Sequence, residues 1–397
     1  MKIVITGSCS ISCLGTTTEQ IIESLGAAPK IGTVSDFGFH SFSQPQPCFN
    51  IPNFDPEPIL GKKGLRTKDR ATKLLLAACE LGFKEMFATG PEELRPGLCI
   101  GTAFGSVQSI GDFLSDAIAN GPHNVNPMAF ANTVINAPTS NANIRYLSRM
   151  SSTTVSTTFN AGMDAFAYAC TYIRSGHAKR LIVGGLEELS YYALAGLAKS
   201  NALSTKGTCM PFGSEADGFL MGEGCAVFCV ETEESAKERN ATIIAEIAGI
   251  HSCFDPKQEK YGYNPDASGA EHAASKAVLQ AEILPNDISF IAASANGNPH
   301  GDAMEASVIS KLFPKVPVAA YKLKTGECLG ASGSLNVACA LTDMHAKRIS
   351  GAAGRYGINA PIDLVFDTRE QVASNYVLVN SFSCDGYCAS IVLKNRL

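Results

Sequence analysis

The sequence predicts an α/β protein with a buried, mostly parallel sheet. Short apolar runs alternate along the chain with longer segments in which apolar residues recur at helical spacing, the pattern of packed α/β layers. The chain has 397 residues, 45% of them hydrophobic, so it can bury a large core as two domains or as one large duplicated domain. The strand candidates are Ile3–Thr6, Leu98–Thr102, Leu181–Gly184, Cys225–Glu231, Ile288–Ala293, Val316–Ala320, Tyr376–Asn380 and Ala389–Leu393. The helix candidates are Asp69–Phe87, Phe159–Ser175, Gly269–Ala281, Asp302–Leu312 and Gly333–Ala346.

One strand-to-helix junction carries the most information. Residues 151–156 are small or β-branched and predict a buried strand. Phe159, Met163, Phe166 and Cys170 then recur at helical spacing and form an apolar stripe. A sharp turn from strand to helix puts the first helical residue at the positive helix end, where a thiol becomes a good nucleophile. Phe159 stands there and has no lone pair, so the sequence predicts a nucleophile's scaffold without the nucleophile.

Composition argues against several classes of function. The net charge is −5 without a Lys/Arg run, which does not favour a nucleic-acid partner. The 14 cysteines include no CxxC pair, so we expect buried thiols in a reducing cytoplasm rather than a disulfide or zinc framework. We expect no signal peptide, no membrane association and no metal, and no nucleotide-binding motif is present.

The polar segment 231–240 is the best candidate for a midpoint of the chain. It follows one strand candidate and precedes the apolar segment 241–249. We therefore predict an N-terminal half, 1–235, and a C-terminal half, 236–397. The two halves share no convincing residue-level repeat, so duplication does not follow from the sequence alone.

Several motifs, in the same order along almost the whole chain, resemble the β-ketoacyl-acyl carrier protein synthase family of the thiolase superfamily. The opening strand and turn V4-I-T-G-S-C-S-I-S-C-L-G15 and the helix D69-R-A-T-K-L-L-L-A-A78 are similar to their family counterparts. The loop M210-P-F-G-S-E-A-D-G-F-L-M-G-E-G224 matches the family's most distinctive segment, and L186-E-E-L189 and the terminal hairpin 381–390 fit their expected places. The resemblance implies a five-layer α/β/α/β/α thiolase-like fold with two similar halves.

The family's chemistry uses a Cys that carries the acyl chain and two His residues that stabilise the enolate and oxyanion. Carried over by motif, the Cys position is Phe159 and the His positions are Asn296 and Glu327, whereas the family's lysine is retained as Lys322. The glycine-rich gate loop reads Ser383-Cys384-Asp385-Gly386. An ionised Glu327 would repel a developing oxyanion, so we expect no catalytic residue at these positions.

This pattern resembles the chain-length factors, silent subunits that form heterodimers with an active ketosynthase in aryl polyene and type II polyketide systems. The segment N126-P-M-A-F-A-N-T-V-I-N-A137 resembles the part of such subunits that borders the partner's acyl tunnel, with Phe130, Thr133 and Val134 supplying bulk. The resemblance implies two partners, an active ketosynthase and an acyl carrier protein. It implies no cofactor of the chain's own, because the phosphopantetheine arm arrives on the carrier.

Two other functions stay open at this point. A self-sufficient synthase or acyltransferase could use a displaced His300 or a hydroxyl near the elbow, although we expect no base beside Ser156, Thr157 or Thr158. A homodimeric acyl-binding protein is the third possibility.

Several residues near these motifs have structural roles in our interpretation. We expect His300 to be a loop residue bonded to backbone or water, and Cys328 and Cys384 to be packing residues. We expect Lys322 and Glu327 to form an ion pair that fills the vacant site. The scaffold residues are Asp217 and Glu223 in the distinctive loop, and Asp69 and Arg70 as an ion pair at a helix start.

Overall fold

The structure is a computed structural model that describes residues 1–88, 95–257, 262–370 and 375–397. Its strands are β1 Ile3–Ser12, β2 Gly32–Asp36, β3 Ser41–Cys48, β4 Gly97–Gly101, β5 Thr153–Val155, β6 Arg180–Glu187, β7 Gly224–Thr232, β8 Ala245–Phe254, β9 Phe290–Ala292, β10 Pro317–Ala319, β11 Arg348–Ile349, β12 Asp363–Leu364, β13 Arg369–Glu370, β14 Tyr376–Phe382 and β15 Tyr387–Asn395. Its α-helices are α1 Thr18–Gly26, α2 Glu57–Leu60, α3 Arg70–Ala88, α4 Val107–Asn120, α5 Pro127–Phe130, α6 Ala137–Tyr146, α7 Ala161–Arg174, α8 Tyr191–Lys199, α9 Glu233–Glu238, α10 Ser268–Gln280, α11 Pro299–Leu312, α12 Lys322–Thr325 and α13 Ser332–His345.

The main sheet consists of two halves with the same topology. Reading outward from the middle, the N-terminal strands follow the order β1-β7-β6-β4-β5, and the C-terminal strands follow β8-β15-β14-β9-β10, with β12 added at that edge. If each half's strands are lettered a to e in chain order, both orders are a-e-d-b-c. The halves meet where β1 pairs with β8 over Val4↔Glu246 and Ile5↔Ala245. The shared strand order indicates an internal duplication, although the sequences of the two halves show no residue-level repeat.

Five layers result from packing helices on both sides of each half-sheet. Helices α7 and α13 lie in the middle and contribute Met163, Phe166 and Leu335 to the core that both halves share. Helices α3 and α6 cover the outer face of the N-terminal strands. Helices α10 and α11 cover the outer face of the C-terminal strands. The predicted five-layer α/β/α/β/α fold is confirmed.

Most predicted elements are present, with three corrections. Each strand and helix candidate overlaps an observed element. The sheet is mixed rather than mostly parallel, because β7 and β15 run antiparallel to both of their neighbours. The strand predicted in 151–156 is the short β5, which lies half-buried at the sheet edge instead of in the interior. The third correction concerns Phe159, which lies in a 3-10 turn before α7 and not in the α-helix. Among the described residues, no helix combines the length and the apolar character needed to cross a membrane.

Candidate active site

The turn between β5 and α7 has the geometry of a strained elbow. Phe159 occupies the middle of the 3-10 turn Thr158–Asn160. Thr158 has a φ of +51°, a left-handed conformation that costs a β-branched residue about 1–2 kcal/mol. The first turn of α7 lies so close to the Gly330 loop that a Cβ on Gly162 would be 2.6 Å from the Gly330 carbonyl oxygen. The chain therefore keeps the tight backbone of a nucleophile elbow although the elbow residue is phenylalanine.

Phe159 is half-buried and contacts other apolar side chains. Its ring makes an edge contact with Phe219, with ring centroids 6.4 Å apart and planes at 86°. Leu197 and Leu203 belong to the same apolar cluster. Aromatic pairs of this geometry are stabilising, so Phe159 contributes packing where a condensing enzyme would carry a thiol.

The carboxylate of Glu327 is buried and fully occupied by hydrogen bonds. Its Oε2 accepts from Lys322 Nζ and from Asn296 Nδ2, both at 2.7 Å. Its Oε1 accepts from the Leu329 N–H at 2.9 Å and from Ser332 Oγ at 2.6 Å. Glu327 and Lys322 are 1% and 4% exposed. The expected Lys322–Glu327 ion pair is present, and Asn296, which the motifs match to the family's other histidine position, donates to the same carboxylate oxygen.

In this arrangement, Phe159, Asn296 and Glu327 offer no side chain placed to act as a general acid. The side-chain amide of Asn296 donates a hydrogen bond to Glu327, and its Oδ1 accepts from the Asn298 N–H at 2.9 Å. A carboxylate already accepting four bonds offers no donor to an oxyanion and would repel one electrostatically. The cluster, which we name the Glu327 clamp (Lys322, Asn296, Glu327, Ser332), is suited to holding loops together.

Two more buried carboxylates hold the loop that carries Asn296. Asp302 accepts from the backbone N–H groups of Phe212, Asn296 and Gly297 at 2.6–3.1 Å. Burial raises the pKa of Asp302 to about 7, against the lowering effect of these N–H groups. Glu305 accepts in the same way from the N–H groups of the two preceding residues, Ser294 and Ala295. Two carboxylates of one helix, α11, therefore hold the backbone of residues 294–297.

An open pocket of about 560 Å³ lies beside Phe159. Its lining includes the apolar side chains of Phe159, Leu197 and Phe219 and the polar residues Ser200, Asn201, Tyr263, Asn298, His300, Cys384 and Asp385. His300 lies in the first turn of α11 rather than in a loop, and it is among the residues that line this pocket. Burial raises the pKa of Cys384 to about 11, which leaves the thiol protonated and unreactive, as expected of a packing residue.

A polar network beneath the elbow escaped sequence reasoning. Asp164 of α7 accepts hydrogen bonds from Thr157 Oγ1, Ser252 Oγ and Asn160 Nδ2. Burial raises the pKa of Asp164, while these hydrogen bonds lower it. The expectation that no base lies beside the elbow hydroxyls is thus wrong for Thr157. Thr157 does not line the pocket, however, and Asp164 shares its oxygens among three donors.

The remaining sequence-selected residues divide into scaffold and surface. Glu223 is buried and binds the Arg70 guanidinium through two contacts of 2.7 Å, so Arg70 pairs with Glu223 and not with Asp69. Asp69 instead accepts from the Thr72 N–H at 2.9 Å in the first turn of α3. Asp217 binds Ser204 and Thr205 and closes its loop, and Cys328 is fully buried.

The segment that follows α4 reaches the surface. Phe130 at the end of α5 is 61% exposed and Val134 is 45% exposed, while Thr133 is half-buried and donates to the Phe130 carbonyl oxygen at 2.8 Å. In the gate loop, Ser383 is buried and Cys384 and Asp385 are half-buried. Phe130, Thr133 and Val134 do not line the pocket beside Phe159, so the structure separates these two groups.

Comparison with known proteins gives matches over nearly the whole chain. The β-ketoacyl synthase N-terminal domain matches residues 2–236, and the β-ketoacyl synthase C-terminal domain matches residues 244–353. The chain is 28% identical to 3-oxoacyl-[acyl-carrier-protein] synthase 2 of Coxiella burnetii over 411 residues, which cover 99% of this chain and 98% of that protein. Among solved structures, the ishigamide ketosynthase/chain length factor superposes with a TM-score of 0.90 at 24% identity, covering 100% of this chain and 99% of the other. A β-ketoacyl synthase from Burkholderia phymatum gives a TM-score of 0.90 at 25% identity, with both chains covered in full.

Proposed function

This chain belongs to the β-ketoacyl synthase family, and we propose that it is a member without condensing activity of its own, a chain-length-factor subunit that pairs with an active ketosynthase. The proposal rests on the side chains at the three positions that the motifs match to the family's reactive residues. Phe159 stands at the nucleophile position, and Asn296 and Glu327, both part of the Glu327 clamp, stand at the two histidine positions.

The chemical argument concerns the charge that develops during condensation. Decarboxylation of a malonyl unit and attack on a thioester both place negative charge on an oxygen, which donors must stabilise. Glu327 presents a negative charge there instead, and its neutralising partner Lys322 is already bound to it. A single substitution at the elbow would leave a decarboxylase, but replacement of both imidazoles removes that activity as well.

The surface around α4 supports the proposal of a partner subunit. Helix α4 has no buried residue, although Ile110, Phe113, Leu114 and Ile118 give it an apolar face. The exposed apolar side chains in the segments that follow α4 are Met128, Phe130, Val134, Ile135, Ile144 and Leu147, and the Phe130 ring contacts Phe113 of α4. Exposed apolar side chains in this number favour an interface.

The edge strand β5 supports the same proposal. It pairs with β4 on one side, and among the described residues no other strand pairs with it. A free strand edge is suited to pairing with another chain. The partner we propose is an active ketosynthase, and Phe130, Thr133 and Val134 would then lie at the boundary of that subunit's acyl tunnel.

The acyl carrier protein is the second proposed partner. It would deliver the phosphopantetheine-bound chain to the ketosynthase, and this subunit would limit the chain's growth by bulk at the tunnel end. The pocket beside Phe159 has polar side chains, Ser200, Asn201 and Asn298, that fit the amide groups of such an arm. Elongated acyl or polyene chains are the product class of the pair, assembled in the cytoplasm.

Co-expression with a ketosynthase that has an intact Cys-His-His set, encoded by a neighbouring gene, tests the partner. We expect a heterodimer to co-purify, and Phe130→Glu to abolish it without changing the chain's own stability, because Phe130 is exposed. Leu284→Glu is the matched control, since Leu284 is 69% exposed but lies in the C-terminal half. A stable homodimer with no bound ketosynthase would contradict the proposal and favour the homodimeric acyl-binding protein.

A self-sufficient acyltransferase is the second candidate, favoured by the contact of Thr157 with Asp164 and by His300 in the pocket. Intact-mass measurement after incubation with an acyl-carrier substrate separates it from our proposal. A covalent acyl adduct on this chain alone would support the acyltransferase, and we expect no adduct.

A further inference from the structure

The pocket beside Phe159 carries an uncompensated negative charge. Asp385 lines it from the gate loop, and one oxygen of this carboxylate is buried without a hydrogen-bond partner. Among the described residues, no lysine or arginine lines the pocket. His300 is the one basic side chain in the described lining, and it is exposed on helix α11.

Neighbouring groups do not cancel this charge. Asp164, which is half-buried behind the elbow, is a second carboxylate near Asp385. Burial is the main cause that raises the pKa of Asp164, and the Asp385 carboxylate raises it further. Lys322 forms an ion pair with Glu327, so the Glu327 clamp supplies no net positive charge to the pocket. Burial, and after it the Asp385 and Glu327 carboxylates, raise the pKa of the neighbouring Cys384 thiol.

We propose that Asp385 makes this pocket selective by charge, so that it admits an uncharged acyl-pantetheine group and rejects one that ends in a carboxylate, such as malonyl. The inference deepens the proposed function and rests on it for the ligand class. An uncharged acyl group brings no charge near Asp385, whereas a malonyl carboxylate would meet a like charge at a partly desolvated site. Rejection of this kind gives specificity through an unfavourable contact with the wrong ligand.

The expected size of the effect follows from Coulomb's law. Two unit charges a few ångströms apart at a partly buried site interact by enough to change an affinity about tenfold or more. The role for the pair is a division of labour. Malonyl units would go to the active ketosynthase, and the pocket of this subunit would stay available for uncharged chains.

Two synthetic probes isolate the charge: malonyl-pantetheine and its carboxamide analogue, in which the terminal carboxylate is replaced by CONH2. Calorimetric titration of the full-length chain should show the carboxamide binding at least about tenfold more tightly. In Asp385→Asn the ratio should fall to within about threefold of one. Glu282→Gln removes the same charge from an exposed site outside the pocket and should leave the ratio unchanged.

Three results would overturn the inference: equal binding of both probes to the unmodified chain, an unchanged ratio in Asp385→Asn, or no binding of either probe. A signal from a co-purified ketosynthase would not respond to Asp385→Asn and is recognised in that way. Failure here is distinct from failure of the proposed function, which is decided by co-purification and by acyl adducts.

Discussion

Replacing Glu327 by glutamine removes the negative charge from the Glu327 clamp and leaves the shape of the side chain nearly unchanged. The Lys322 ammonium would then stay buried without its counter-ion, which lies 2.7 Å away in the native chain. Of the clamp's four bonds, those from the Leu329 N–H and Ser332 Oγ reach the other oxygen and can persist in part. The lost charge compensation is therefore the main effect.

The magnitude follows from burial. Removing one partner of a buried ion pair costs about 3–5 kcal/mol, because the remaining charge is desolvated without compensation. An exposed pair costs about 0–1 kcal/mol. Arg355 and Asp367 supply the control, since they form an ion pair at 2.6 Å whose side chains are 75% and 74% exposed. The two pairs have similar lengths and differ in exposure.

Urea unfolding of Glu327→Gln and Asp367→Asn is the assay. We expect the free energy of unfolding to fall by about 3–5 kcal/mol in the first and by at most about 1 kcal/mol in the second. The double variant Lys322→Met/Glu327→Gln removes both charges and should be more stable than Glu327→Gln alone. If Glu327→Gln were no more destabilising than Asp367→Asn, the clamp would have no structural role and our interpretation of Glu327 would fail.

Two further outcomes are expected. Phe159→Cys should place a thiol at the elbow, which alkylation with iodoacetamide would detect. We expect no condensation product in a malonyl-dependent assay, because neither imidazole is restored. Product formation would show that the Glu327 clamp does not block the chemistry. The second outcome concerns pH. Burial raises the pKa of Asp302 to about 7 from an unfolded value of 3.8, so its contribution to stability is fully present below the unfolded pKa and is lost as the pH rises through about 7. The free energy of unfolding should therefore fall by about 2 kcal/mol between pH 5.5 and 8 on account of this group. Asp302→Asn should flatten that part of the profile, and an unchanged slope would place the titration elsewhere.

Elements with a clear local pattern were predictable from the sequence. The apolar runs predicted the approximate bounds of β6 and β7, and the periodic apolar stripe predicted those of α7. A strand buried on both faces and a helix buried along one stripe each show a pattern among residues that are close in sequence. Strand direction is not local information. The antiparallel placement of β7 and β15 depends on which strands meet in space, so the expectation of a mostly parallel sheet was wrong.

The site shows the same division. The Lys322–Glu327 contact was predictable because the two residues are five positions apart in the sequence. The Arg70–Glu223 pair joins residues separated by 153 positions, and the Asp164–Ser252 contact spans 88, so no local pattern pointed to either. The half-burial of β5 was missed for a related reason, since its small and β-branched residues suit a sheet edge as well as a sheet interior.

The purified chain, without any companion subunit, should be incubated with acyl-carrier and malonyl-carrier substrates, and both the products and the intact mass of the protein should be measured. The account predicts no new carbon–carbon bond, no release of carbon dioxide and no acyl adduct, because the elbow residue is Phe159 and the positions matched to the family's two histidines hold Asn296 and Glu327. A lengthened β-ketoacyl product, or a stoichiometric adduct on this chain, would contradict it.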